Sequence, residues 1–247
     1  MLLDEFDLIF ILGFVLILLF IVYLITFINR ATLDDYPEEG EYLDINKCNN
    51  GDIVCISYNN FSGAFISSTS RSIWSHPGFI WVDTDTNIRY VLEGAIYRQD
   101  KYRHFFKIPL KSWLHINRRS IMGYKKYCGE PINSEYMMSK FDWMIKQCKL
   151  ASFDVSWAKY LIDKQYYNYA VSDRYTCSEA FVILGQELGL FKKDKIYCSY
   201  LPGDIINDKI KLLDGVNFMP VIQIFIHPVE NMMILEDKVF SKNFWKN

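Results

Sequence analysis

Three side chains in this sequence have types and positions that suit nucleophilic chemistry: Cys177, His76 and Glu93. In SDRYTCSEAFVILGQELGL (172–190), Cys177 stands at the head of a run with Ala180, Phe181, Ile183, Leu184 and Leu188 at helical spacing, closed near Gly189. The first turn of a helix has backbone N–H groups without intrahelical partners and the positive end of the helix dipole. A thiol there loses its proton more readily, and the thiolate is the nucleophile. The same N–H groups can hold the oxyanion of a tetrahedral intermediate. Such a cysteine needs a base.

His76, in SIWSHPGFIW (72–81), opens a strand directly after a polar loop, where a side chain can face a cleft. If Asp83 to Thr86 form a four-residue turn, Val82 lies opposite Asn87, and counting back along the antiparallel pair sets His76 opposite Glu93. A carboxylate beside an imidazole orients it and stabilises its charged form. A five-residue turn would spoil that register.

The elements that must position these residues follow from pattern. GDIVCISY (51–58) reads as a strand after a Gly-Asp turn, and FSGAFISSTSRSIW (61–74) as a loop or short helix. HPGFIWV and IRYVLEGA are strands separated by DTDTN, and HFFKIPL and SWLHI read as further extended pieces. NSEYMMSKFDWMIKQCKL (133–150) has helical spacing behind an Asn/Ser cap, the Cys177 helix runs to about Leu190, and NFMPVIQIFIHPV supplies a last strand. Strands, then helices, then a strand imply an α+β fold, with an antiparallel sheet packed on helices.

Leu8 to Asn29 are 22 residues without a charged side chain, about 33 Å as a helix against a hydrocarbon core of about 30 Å. The expected organisation is an acidic tail (1–7), a transmembrane helix (8–29), a linker (30–50), one domain (51–232) and a polar tail (233–247). With Arg30 as the nearest flanking charge, the domain is expected in the cytosol, as a single-pass protein contacting the bilayer through 8–29. Apolar residues at 51% and aromatics at 17% exclude disorder, and a net charge of −2 without a basic block argues against nucleic-acid binding. The six cysteines form no CxxC pair and, with the four histidines, no metal-ligand spacing, so neither a metal nor a cofactor is expected. His104 and His115 sit among Lys and Arg, His227 ends the last strand, and Cys55 falls inside the first strand; Cys128 and Cys148 have no base nearby in sequence.

GDIV at 51–54 followed by HPGFIWVDTDTNIRYVLEGA resembles the paired motifs of the NlpC-like papain-fold thiol hydrolases. YTCSEAF follows the histidine by about a hundred residues, an order similar to the circularly permuted branch of YiiX-like, poxviral and lecithin:retinol acyltransferase-like proteins, and YLPGDI (200–205) resembles a segment of the YiiX-like group. The resemblance implies a permuted papain-like domain with Cys177 as nucleophile, His76 as general base and Glu93 as the orienting residue, with Tyr175 and Ser178 lining the cleft. His76-Pro77 departs from the more usual His-Val, while Gly78 is retained. The expected activity is a thiol hydrolase or acyltransferase acting on an amide or a lipid ester in a lipid or peptide substrate. The alternative is a non-catalytic tethering protein of a viral envelope, host or virion, in keeping with the poxviral likeness and the Lys-, Asn-, Ile- and Tyr-rich usage.

Overall fold

The computed structural model describes residues 5–31, 40–58, 61–96, 103–150, 174–193 and 200–225. His227, Cys198 and the polar tail 233–247 lie outside the described residues. The chain opens with α1 (Glu5–Ala31), which runs against α2 (Phe61–Ser70). The expectation of a membrane span over 8–29 does not hold: among the described residues no helix is long and apolar enough to cross a membrane. The single-pass membrane localisation drawn from that stretch is corrected with it.

The body is a seven-stranded sheet in the order β1-β9-β6-β2-β3-β4-β5. Its strands are β1 (Gly40–Tyr42), β2 (Ile53–Ser57), β3 (His76–Val82), β4 (Arg89–Ile96), β5 (Arg103–Pro109), β6 (Ile121–Lys125) and β9 (Ile222–Phe225). The sheet is mixed rather than antiparallel, because β1 runs parallel to β9. That pairing also draws part of the expected linker into the sheet. A two-stranded parallel pair joins β7 (Lys149–Leu150) to β8 (Arg174–Tyr175).

Helices cover both faces of the large sheet, which explains why β2 reads as an unbroken apolar run. Ile53 and Cys55 face one core with Phe79, Trp81 and Leu92, while Val54 and Ile56 face the other with Ile80 and Val91. The first core is closed by α4 (Ser134–Gln147), α5 (Cys177–Glu187) and α6 (Pro202–Ile206). The second is closed by α3 (Leu110–Ile116) and by Leu43 and Ile45 ahead of β2. The segment SWLHI is therefore helical, not extended; Leu110, Trp113 and Leu114 recur at i, i+3 and i+4, and all three are buried.

Two buried polar residues fix the sheet's corners. Gly51 takes a positive φ of 88° to turn the chain, and Asp52 behind it accepts from Asn49 N at 2.8 Å, Tyr124 Oη at 2.6 Å and Tyr127 N at 2.8 Å. Burial raises the Asp52 pKa against the pull of those hydrogen bonds. Lys125, buried at the end of β6, donates to Ile206 O at 2.9 Å and pairs with Asp208 at 2.6 Å, tying the strand to the end of α6. At the start of α6 a Cβ on Gly203 would lie 2.2 Å from Ser72 Cβ, so only glycine allows this approach to the segment leading into β3.

Candidate active site

The site forms where two strands part. β3 and β4 pair only from Phe79↔Leu92 to Val82↔Arg89, whereas His76, Pro77 and Gly78 pair with β2 alone. Six residues, Asp83 to Ile88, connect the strands, with Asn87 at φ 55° and Asp83 N donating to Ile88 O at 2.9 Å. The register is thus two residues away from the one expected for a four-residue turn. A shift of two keeps every side chain on its own face, so Glu93 reaches His76 diagonally instead of directly across. Gly78 assists: a Cβ there would lie 2.6 Å from Val91 Cγ1 and 3.5 Å from Glu93 Cβ, in the way of that reach.

Pro77 fits the same splayed stretch. Ile80 N donates to Asp52 O at 2.7 Å, so by the alternation of a strand the backbone N position of residue 77 faces away from β2, towards the gap that β4 has left. The ring removes no bond of the β2–β3 ladder.

His76 Nε2 lies 2.8 Å from Glu93 Oε2, and both residues are buried. The Cys177 side chain is also close enough to the imidazole to act on its charge. Burial works against a charged imidazole, but the Glu93 carboxylate and the Cys177 sulfur outweigh it and raise the His76 pKa to about 10. Tyr58, just past β2, sets its ring 5.9 Å from the His76 ring at 40°. Burial, with the negative charges of Glu93 and Cys177, holds the Tyr58 phenol well above its usual pKa.

Cys177 is the first residue of α5 and is half-buried. The helix starts there because Thr176 and Glu179 form a capping box: Thr176 Oγ1 accepts from Glu179 N at 3.3 Å and Glu179 Oε2 from Thr176 N at 2.6 Å. One turn on, Phe181 stacks on Phe79 of β3 with centroids 3.9 Å apart and planes 7° from parallel. That stack sets the helix on the sheet and so brings the sulfur to the end of β3 from the face opposite α3. A cavity of about 10 Å³, bordered by Pro77, Glu93, Met144 and Phe181, lies beside the contact, room for one water at most.

The three residues with chemical promise in the sequence, Cys177, His76 and Glu93, come together. The two expected to line the cleft sit differently from each other: Tyr175 is half-buried against the helix-side core, while Ser178 is buried with its Oγ 3.2 Å from Thr176 Oγ1. His115 belongs to α3, where its Nε2 lies 3.2 Å from an Arg118 nitrogen; His104 lies on β5 opposite Ala95. Cys55 and Cys148 are buried and Cys128 exposed. Sequence reasoning missed Trp113, whose Nε1 donates to Glu93 Oε2 at 2.9 Å. Its signal was the helical spacing of Leu110, Trp113 and Leu114 after Pro109. Among the described residues no group of three or more His, Cys, Asp or Glu is placed to hold a metal ion.

No protein-family model matches the chain, and no curated protein matches it. Among solved structures the chain is similar to the metalloprotein YiiX from Escherichia coli O157:H7, a DUF1105 protein, at 15% identity over 70% of this chain and 97% of that one, with a TM-score of 0.39. The likeness is to the YiiX-like fold at low identity, and the chemistry of the site rests on its own geometry.

Proposed function

We propose that the chain is a thiol acyl hydrolase or acyltransferase in which Cys177 is the nucleophile, His76 the general base and acid, and Glu93 the residue that orients the imidazole. One observation carries this reading: a cysteine in the first turn of a helix beside a buried histidine that a buried carboxylate holds by one ring nitrogen. The order of these residues along the chain, histidine and glutamate before cysteine, is that of the permuted thiol hydrolases the sequence resembles.

In this reading His76 takes the Cys177 proton, and the thiolate attacks the acyl carbon of an ester or amide. In the same reading the backbone N–H of Cys177, in the first turn of α5, stabilises the oxyanion. His76 returns the proton to the leaving alcohol or amine as the C–O or C–N bond breaks and a thioester forms. Water or an acceptor hydroxyl or amine, deprotonated by His76, then attacks the thioester and releases Cys177.

The test is the pH profile of Cys177 alkylation by iodoacetamide, with the exposed Cys128 of the same chain as reference. Cys177 should react at neutral pH about tenfold or more faster than Cys128, and His76→Ala should remove that advantage. A panel of fluorogenic thioesters, esters and amides then assigns the acyl class, with turnover abolished in Cys177→Ala. Equal rates and equal pH profiles for the two cysteines would end the thiol reading.

A further inference from the structure

Glu93 Oε2 takes two donors at once. His76 Nε2 lies 2.8 Å from it, and Trp113 Nε1, on α3, donates to the same oxygen at 2.9 Å. Trp113 is fully buried and Glu93 nearly so, in the core between the sheet and α3. A buried carboxylate and imidazole that share one proton can exist in two forms with the same proton count. The proton lies on Nε2, giving carboxylate and imidazolium, or on Oε2, giving carboxylic acid and neutral imidazole. Burial favours the second form, because it removes two charges from a poorly solvated place.

An indole N–H acts against that choice. It is a donor only, and a hydrogen bond donated to a carboxyl oxygen favours the ionised form. We propose that Trp113 is a positioning residue of this site: its N–H keeps Glu93 ionised and so keeps the shared proton on His76. Among the described residues, the other titratable groups facing the pair are Tyr58, from the end of β2, and Cys177, from α5; β5 places Phe106 opposite Glu93, and α3 brings Trp113 itself. Tyr58 and Cys177, if charged, would each disfavour a charged Glu93, whereas the Trp113 N–H favours it from the α3 side.

The consequence for chemistry rests on the thiol reading of Cys177, whereas the proton's place does not, and two measurements separate them. In the first, the ¹⁵N resonance of His76 Nε2 is followed in the full chain. It should show a protonated nitrogen in the unmodified protein and move towards the unprotonated value in Trp113→Phe. Because that change could disturb packing, benzothienylalanine placed at position 113 serves as a second variant; it has the shape of tryptophan without the N–H, and the same movement is expected. In the second, the midpoint of the Cys177 alkylation profile should rise by about half to one pH unit in either variant, as the thiolate loses its imidazolium. Glu93→Gln should raise it as well, and adding Trp113→Phe to Glu93→Gln should change it no further. An Nε2 resonance unmoved by loss of the indole N–H overturns the proposal, as does additivity in the double variant. If Nε2 moves while Cys177 alkylates like Cys128 throughout, Trp113's role stands and the thiol reading of Cys177 falls.

Discussion

His76 holds its proton more tightly in the folded chain than in the unfolded one, and that fixes the sign of its pH dependence. Its folded pKa is raised to about 10, against about 6.5 for an unfolded histidine. The stabilisation from the raised pKa is therefore fully present below pH 6.5 and lost as pH climbs through 10. Denaturant unfolding of the unmodified chain and of His76→Ala should show the largest stability gap near pH 6, narrowing towards pH 10. A gap that widens over that range would mean that the imidazole is held neutral. At this scale Cys177 and His76 were legible from residue type and place, a thiol heading a helix and an imidazole heading a strand. Glu93 was legible by parity only: the expected turn was too short by two residues, and because strand faces alternate with period two the error left the same face in view. Trp113 was not legible, because its role depends on which residue of another element its N–H meets.

Among the elements, α5 is seated on the sheet in part by one aromatic contact. Phe181 stacked on Phe79 holds the helix against β3; such a pair adds about 0.5–1.5 kcal/mol beyond the apolar area it buries. Phe181→Ala should cost about 3–5 kcal/mol of stability, and in the population that stays folded at low temperature it should also slow Cys177 alkylation, since the sulfur's approach to His76 is set by that seat. Unchanged alkylation in a destabilised but folded variant would show that the cap alone places Cys177. Pattern found α5 because its cap, apolar stripe and stop agree. It failed on α3, where aromatic and β-branched residues in a seven-residue stretch read as strand; the packing of Trp113 and Leu114 against Val91 and Ile108 decides the conformation there. It failed also on β1, three exposed residues that become a strand only because β9 is beside them. The apolar run at 8–29 was legible as a helix, but among the described residues no helix is long and apolar enough to cross a membrane.

Across the whole molecule, the site is divided between two lengths of chain. The part up to β6 carries His76 and Glu93 on strands and Trp113 on α3, and the part from α4 onward carries Cys177. Severing the chain between β6 and α4 should therefore give fragments 1–130 and 131–247 that are each ordinary in Cys177 chemistry and regain fast neutral-pH alkylation on mixing. Fast alkylation by 131–247 alone would locate the thiol's activation wholly within α5. The broad α+β order was legible because strand and helix patterns are local, while the mixed character of the sheet was not, since parallel pairing of β1 with β9 joins residues some 180 positions apart. Gly203 adds a constraint of its own. With no room for even a methyl group between α6 and Ser72, and with Asn207 Nδ2 donating to Ser72 Oγ at 3.3 Å, the lead-in to the histidine strand and the Pro-Gly-Asp turn fit as a dovetail. A chimera that imports residues 70–76 from a relative must import 202–207 along with them, or the imported histidine will arrive on a misfitted joint.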